Sequence, residues 1–258
     1  MQFDFGQNWK EFSENSLTAE KVDQAREHFR LLMKDCPLKD RRFVDIGFGQ
    51  GLSLLLALQE GAQVTGVDIN PKCAEVLERN KQFLGIDAPV EVLVGSILED
   101  STLQRLGNRQ FDIVHSWGVL HHTGDMYAAI DRTCSLVAPN GRLVLAIYNR
   151  HWSSLPWKWI KWLYCVSPAM VQKLMIALFF PVIFSAKLLV TRENPLKMTR
   201  GMDFYYNIVD WVGGYPYEYA SREEMIEFLD SRGFVLETFV PARVPTGCNE
   251  FVFRKAEA

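Results

Sequence analysis

The stretch 43–51, FVDIGFGQG, constrains the fold more than any other part of the chain. Its apolar start predicts a short buried strand, and its alternate glycines predict a turn that opens into the apolar helical run 52–57. Glycine lets the backbone turn sharply and lets a ligand approach without a side chain in the way. The first N–H groups of the following helix point at such a ligand. The stretch therefore predicts a ligand-binding strand–turn–helix unit.

A second predicted strand, 64–67, ends at Asp68. An acid at this point can accept hydrogen bonds from both ribose hydroxyls of an adenosine. The pattern from Asp45 to Gly51 is D-x-G-x-G-x-G, whereas dinucleotide sites carry G-x-G-x-x-G. This difference argues against NAD, which stays a competing ligand. A glycine turn that binds no ligand is the other alternative.

Strands and helices alternate beyond this unit. Predicted strands at 90–94, 111–117 and 142–148 follow the first two, with helical segments between them. Such repeated units predict a doubly wound, mostly parallel sheet in an α/β fold. The segments 235–240 and 250–254 are predicted as a closing antiparallel pair, which makes the sheet seven-stranded.

Two motifs carry a resemblance to a known family: Asp45 with the glycine turn, and the fourth strand with the loop 118–123 after it. Together they resemble the class I S-adenosylmethionine-dependent methyltransferases, in particular the small-molecule branch around the ubiquinone-biosynthesis O-methyltransferases. The resemblance covers 43–148 and resumes from 219 to the last residue. It implies a Rossmann-like methyltransferase fold, S-adenosylmethionine as cofactor, S-adenosylhomocysteine as product and no metal.

The resemblance also implies a set of cofactor-binding residues. The glycines are expected beside the methionine part, which Asp45 would hold through water or its amino group, and Asp68 is expected to bind the ribose. Ser96 stands where the family often carries an acid for the adenine amino group, and Ile97 is expected on the adenine face. The predicted set is Asp45, Gly47, Phe48, Gly49, Gly51, Asp68, Ile69, Ser96, Ile97 and Trp117.

His121 and His122 follow the fourth strand, and ligands of open parallel sheets bind beyond the carboxyl ends of the strands. Histidine has a suitable unperturbed pKa to take a proton from a hydroxyl. The hypothesis is that one of them, preferably His122, is a base or orients the acceptor. The alternative is that both only shape the loop. Acceptor contacts are predicted at Trp9, Tyr148, Arg200, Tyr205, Tyr206 and Asp210.

Residues 1–35 are predicted to be an arm rich in aromatic rings and then a helix. The arm either packs on the core by its rings or covers the cofactor with Gln7, Asn8 and Trp9. His28, on the helix, has charged neighbours and is predicted to lie at the surface.

The segment 149–214 breaks the alternation and is predicted to be a helical lid inserted after the fifth strand. A membrane span needs about 20 apolar residues, but only 174–186 is free of charge, and Pro181 interrupts it. The lid either packs on the core or also lies in a membrane interface, which tryptophan together with lysine favours. The predicted domains are the arm and helix (1–35), the cofactor-binding core (36–148), the lid (149–214) and the C-terminal part of the core (215–258).

Composition narrows the partners and the compartment. A net charge of -3 gives no indication of nucleic acid as a partner. The five cysteines form no C-x-x-C pair, which is typical of a reducing cytosol and argues against structural zinc. The N-terminus carries no signal-peptide pattern. We therefore expect a cytoplasmic location, with peripheral contact to the inner face of the membrane through 152–190 as an alternative, and the oligomeric state stays open.

The predicted function is transfer of a methyl group to a small-molecule acceptor. The apolar lid favours an apolar, quinone-like or lipid-like hydroxyl. A methyltransferase for a polar metabolite or sugar is one alternative, and a cofactor-binding or partner protein without catalysis is another.

Overall fold

A seven-stranded sheet organises the residues that the computed structural model describes, which are 2–107, 109–196 and 201–257. Its strands are β1 (Arg42–Ile46), β2 (Gln63–Asp68), β3 (Glu91–Val94), β4 (Phe111–Trp117), β5 (Val137–Tyr148), β6 (Phe234–Val240) and β7 (Cys248–Lys255). Their order is β3-β2-β1-β4-β5-β7-β6. β7 runs antiparallel to β5 and β6, and the other neighbours are parallel. The predicted doubly wound, seven-stranded methyltransferase-like sheet is confirmed.

Helices cover both faces of this sheet and extend beyond its edge. They are α1 (Phe5–Asn15), α2 (Ala19–Leu32), α3 (Leu52–Gln59), α4 (Lys72–Phe83), α5 (Asp100–Leu106), α6 (Met126–Ser135), α7 (Ser154–Val166), α8 (Ala169–Thr191), α9 (Phe204–Gly213) and α10 (Arg222–Asp230). Neighbouring residues of a strand point to opposite faces. Phe43 of β1 therefore packs with Phe29 and Leu55 on one face, whereas Val44 packs with Ile130 and Leu229 on the other.

The turn after β1 depends on its glycines. Gly47, Gly49 and Gly51 have φ values of 74°, 54° and 76°, a region in which side chains cost about 1–2 kcal/mol. A Cβ at Gly47 would collide with Val119, and one at Gly51 would collide with Leu77 of α4. The glycines therefore allow both the left-handed turn and the close packing around it.

The N-terminal segment differs from the predicted arm, because it forms the helix α1. Asp4 caps this helix by accepting a hydrogen bond from Gln7 N at 3.0 Å. The same carboxylate pairs with Lys72 at 2.7 Å, at the start of α4. The aromatic positions of 3–12 suggested no helical period, but capping and packing on α4 stabilise a helix there.

The insertion forms a separate apolar cluster built from α7, α8 and α9. Phe204 of α9 lies 5.2 Å from Phe180 and 5.8 Å from Phe184 of α8, measured between ring centres. Tyr164 of α7 and Ile208 of α9 are buried in the same cluster. The insertion is therefore helical, as predicted, and one side of α8 is docked on α9.

Candidate active site

A cavity of about 1220 Å³ opens at the carboxyl ends of the parallel strands. The glycine turn, α1, the insertion and the loop between β6 and β7 each contribute to its wall. Pockets for one small molecule usually measure about 300–1,000 Å³. The cavity can therefore hold a cofactor and an acceptor side by side.

Asp68, at the end of β2, is buried in this wall. Its two carboxylate oxygens accept hydrogen bonds from Gly49 N at 2.9 Å and Asn70 N at 2.8 Å. Burial raises the pKa of Asp68 and these backbone hydrogen bonds oppose the rise, with a net upward shift. Each carboxylate oxygen keeps further acceptor capacity. The arrangement suits a pair of ribose hydroxyls.

The neighbouring wall suits an adenine ring. Ile69 follows Asp68 and is exposed into the cavity, and Ile97 lies in the wall beside it. Ser96 Oγ accepts a hydrogen bond from Leu98 N at 3.2 Å. The Ser96 hydroxyl is thus fixed in the wall, and its contact with adenine stays a prediction.

Gly118, just after β4, is a second place, after Asp68, at which the fit of S-adenosylmethionine can be tested. Its φ is 73°, and it forms part of the cavity wall. Among the described residues, no heavy atom lies within 4 Å of the position that a Cβ would take there, neighbours in the chain aside. The backbone at Gly118 is therefore open toward the cavity, as a close-lying ligand requires. With Asp68, this geometry fits S-adenosylmethionine.

Asp45 makes a contact that the sequence did not reveal. Its Oδ1 lies 2.7 Å from His115 Nδ1, and both side chains are buried in the cavity wall. The pairing follows from the register of β1 and β4, which places Asp45 opposite His115. The predicted contact of Asp45 with the methionine part would therefore involve a carboxylate that His115 already orients.

His122 lies in the cavity wall, whereas His121 lies behind it. His122 Nδ1 donates to the Pro216 carbonyl oxygen at 2.6 Å. Burial, helped by nearby Lys161, lowers the pKa of His122 to about 3. Burial also lowers the pKa of His121 strongly, and His121 Nδ1 accepts a hydrogen bond from Tyr148 N at 3.3 Å. Both rings are neutral at pH 7.

Lys161 is fully buried and was not among the predicted site residues. It donates to the Trp211 carbonyl oxygen, and its ammonium lies 4.1 Å from the Trp211 ring centre and 4.8 Å from that of Tyr217. Burial lowers the pKa of Lys161 to about 7. Burial likewise raises the pKa of Asp210 to about 7, although Asn8 donates to its Oδ1 at 2.6 Å.

His28 makes a contact that sequence reasoning missed. It is half-buried in the cavity wall, and its Nε2 lies 3.0 Å from Glu250 Oε2. Its side chain is 24% exposed, so His28 is partly accessible as expected, but its contact with Glu250 was not predicted. The one feature of the sequence that could have indicated this contact was Glu250, an acid within the apolar strand β7, because a buried acid needs a partner.

The predicted site residues divide into two groups. The cavity wall contains all of the predicted cofactor set except Gly51, and it also contains Trp9, His122, Tyr148 and Asp210. Gly51, His121, Tyr205 and Tyr206 lie outside this wall. The predicted acceptor contact Arg200 lies outside the described residues.

Comparison with known proteins agrees with this geometry. A family model described as a methyltransferase domain matches residues 19–180. The chain belongs to the class I S-adenosylmethionine-dependent methyltransferase family. This confirms the predicted family and its cofactor. In residues 2–107, 109–196 and 201–257, no group of three or more His, Cys, Asp or Glu side chains is placed to hold a metal ion.

The individual relatives of the chain are distant. The chain is 33% identical over 120 residues to a ubiquinone biosynthesis O-methyltransferase of Rhodopseudomonas palustris strain HaA2. The aligned region covers 45% of this chain and 44% of that protein. It is 29% identical over 198 residues to the protein of the same name from strain TIE-1, covering 67% and 71%. The chain thus spans less than half the length of the first relative.

A solved structure shows the same fold. The magnesium protoporphyrin IX methyltransferase of Synechocystis PCC 6803 with bound S-adenosylhomocysteine superposes with a TM-score of 0.58 at 16% identity. The superposition covers 97% of this chain and 94% of that one.

Proposed function

We propose that this protein transfers the methyl group of S-adenosylmethionine to a hydroxyl of an apolar, quinone-like or lipid-like small molecule. The observation that carries the proposal is the composition of the cavity wall away from Asp68. Helices of the insertion and the loop after β6 supply most of it. Its apolar members include Trp157, Ile183, Val190, Met202, Trp211 and Val244.

The relatives give independent support of a limited kind. The curated proteins from Rhodopseudomonas palustris carry the name of an enzyme for ubiquinone biosynthesis. Their acceptor is not transferred to this chain by similarity alone, because the aligned part covers under half of the first of them. The apolar wall and these names favour the same class of acceptor.

Bound S-adenosylmethionine would supply a methyl group on a positively charged sulfur. The chain would contribute binding, orientation and exclusion of water. Asp68 and the open backbone at Gly118 would hold the cofactor, and Trp9 of α1 lies over the turn at Gly49. α1 and the insertion both contribute residues to the cavity wall. Correct positioning of two reactants is a large part of any such rate enhancement.

The proton of the acceptor hydroxyl requires a base, and two of the histidines in the wall, His122 and His28, differ in their suitability. A phenolic hydroxyl has a pKa of about 10, so transfer of its proton to an imidazole with a pKa of about 3 is uphill by about 9–10 kcal/mol. We therefore assign His122 to orientation of the acceptor. His28 is the base in this proposal, because Glu250 can hold its Nε2–H and leave the lone pair on Nδ1.

The test is transfer of label from methyl-labelled S-adenosylmethionine into total cell extract, followed by organic–aqueous partition. Label that enters the organic small-molecule fraction, and does not appear with Asp68→Asn, supports the proposal. Label in the aqueous small-molecule fraction would replace it with a polar acceptor. Tight binding of S-adenosylhomocysteine without transfer to any fraction would favour a binding protein without catalysis.

A further inference from the structure

The helix α7 presents an apolar stripe to solvent. Its exposed apolar residues recur at intervals of three and four, which places them on one side of a helix. Tyr164 and Lys161, on the opposite side, are buried against the rest of the protein. The exposed residues of the stripe and the turn before it are Trp152, Leu155, Trp159, Trp162, Leu163 and Val166.

The helix α8 continues this exposed apolar surface. By length and composition it could cross a membrane, yet only 11% of its most apolar 18-residue stretch is buried. Core helices of globular proteins are buried, so packing within this chain does not account for its composition. Its exposed residues repeat mostly every four positions, and they are Met170, Val171, Leu174, Leu178, Val182, Leu188, Leu189 and Val190. Together with the α7 stripe they form the α7–α8 face.

The charges around the α7–α8 face have one dominant sign. Lys158, Lys173 and Arg192 are exposed there, and Lys187 is half-buried. The single acid of 152–196 is Glu193, which pairs with Arg243 at 2.8 Å. Basic residues with tryptophans at the border of an apolar surface are typical of helices that lie on anionic membranes. Two copies joined through this face would instead bring their positive charges together.

The α7–α8 face is continuous with the cavity. Ile183, Ala186, Lys187 and Val190, in the last turns of α8, are part of the cavity wall. Val190 is also 55% exposed, and the adjacent Leu189 is 78% exposed. An apolar molecule in contact with this end of α8 is therefore next to the cavity.

The other side of α8 argues against a helix that crosses a membrane, because it is packed on the protein. Phe180 and Phe184 are packed on Phe204 of α9. Lys173 and Lys187 also limit the uncharged stretch to 174–186, well short of the roughly 20 apolar residues of a span.

We propose that the α7–α8 face docks on the surface of a bilayer that contains anionic phospholipid. The end of α8 then lets an apolar acceptor pass from the bilayer into the cavity. The docking stands on the exposed residues and their charges, whereas the passage of an acceptor rests on the proposed function.

The experiment is flotation of the full chain with two kinds of vesicle. One contains phosphatidylcholine alone, and the other also contains about 30% phosphatidylglycerol, which gives its surface the negative potential that attracts basic segments. The protein should float with the anionic vesicles, less with neutral ones, and less at high salt. Leu178→Glu, at a side chain 64% exposed, should lower the partition coefficient at least tenfold. Val235→Glu is the matched control, because Val235 is an exposed apolar residue on β6.

The basic residues make a second, separable contribution. Replacement of Lys158 and Lys173 by Gln should lower binding to anionic vesicles by about fivefold for each lysine and should not change binding to neutral ones. Leu178→Glu and the double lysine variant should each bind S-adenosylhomocysteine as the original protein does, which would show that they are folded.

Absence of flotation for the original protein, or equal flotation of Leu178→Glu, would overturn the proposal. A dimer that Leu178→Glu dissociates, with no vesicle binding, would replace the bilayer with a second copy of the chain. Flotation does not require methyl transfer. Flotation without methyl transfer would therefore support membrane docking and reject the apolar acceptor. Methyl transfer to the organic fraction without flotation would support the apolar acceptor and reject membrane docking.

Discussion

The imidazole of His28 lies 3.0 Å from the carboxylate of Glu250, although 222 positions separate them in the sequence. The contact joins α2 to β7, the strand that β5 and β6 enclose. Both residues belong to the cavity wall. A carboxylate that fixes one nitrogen of an imidazole leaves the other as a proton acceptor.

Replacement of His28 by Gln should lower kcat by about 100-fold or more, the usual contribution of a general base. Cofactor affinity should stay unchanged, because the contacts of Asp68 are elsewhere. The measurement is the initial rate of label transfer to the extract fraction that accepts it. His151→Gln is the control, since His151 also lies in the cavity wall.

His122→Gln should lower the rate less than His28→Gln and leave the pH–rate profile between pH 5 and 9 unchanged. The reason is that His122, with a pKa of about 3, does not titrate in that range. Loss of activity in His122→Gln alone, with His28→Gln fully active, would assign the base role to His122.

Asp68→Asn should raise the Kd for S-adenosylhomocysteine about 10–100-fold. A hydrogen bond to a charged group contributes about 1.5–3 kcal/mol, and the amide accepts through only one of its two polar atoms. Titration calorimetry measures the change, with Asp87→Asn at an exposed position as the control. Equal affinity in the two variants would contradict the ribose assignment.

Gly118→Ala and Gly85→Ala form a matched pair. Both glycines have positive φ, 73° and 63°, and the described residues leave the Cβ position of each open. Each substitution should cost about 1–2 kcal/mol of stability through backbone strain. Only Gly118 belongs to the cavity wall. Gly118→Ala alone should therefore weaken S-adenosylhomocysteine binding, by at least tenfold. If Gly85→Ala weakened binding equally, backbone strain and not contact with the cofactor would be the cause.

Lys161 should make stability depend on pH. Its pKa is lowered from 10.5 to about 7, so between these values the unfolded chain binds a proton that the folded protein does not. Stability should thus fall as the pH falls from about 10.5 to about 7, by about 5 kcal/mol at most. Urea unfolding at pH 7 and pH 9.5 measures it. Lys161→Met should remove most of this dependence, whereas Lys158→Met, at an exposed lysine of the same helix, should keep it.

The core of the fold could be predicted because its signals are local. Asp45 and the three glycines lie within seven residues, and Asp68 ends the next strand. In a parallel sheet this spacing fixes where the ligand lies. A helix after the N-terminal arm was also predicted, and the structure confirms it as α2, which Thr18 caps.

The contacts that sequence reasoning missed depend on elements far apart in the chain. Asp45 and His115 meet through the register of two strands. Lys161 is buried because rings from β5, α9 and the segment after it converge on its ammonium. A lysine between tryptophans suggests an exposed position, and no local pattern indicates such a cage.

The order of the strands has a consequence for synthesis of the protein. β6 is an edge strand whose one neighbour in the described sheet is β7, and β7 follows it in the sequence. During synthesis β6 therefore emerges from the ribosome before its partner β7. Until β7 is made, β5 also has an unpaired edge. Unpaired edges of this kind are aggregation-prone. A premature stop anywhere before Cys248 would remove β7, an interior strand of the sheet, and leave the edges of β5 and β6 unpaired.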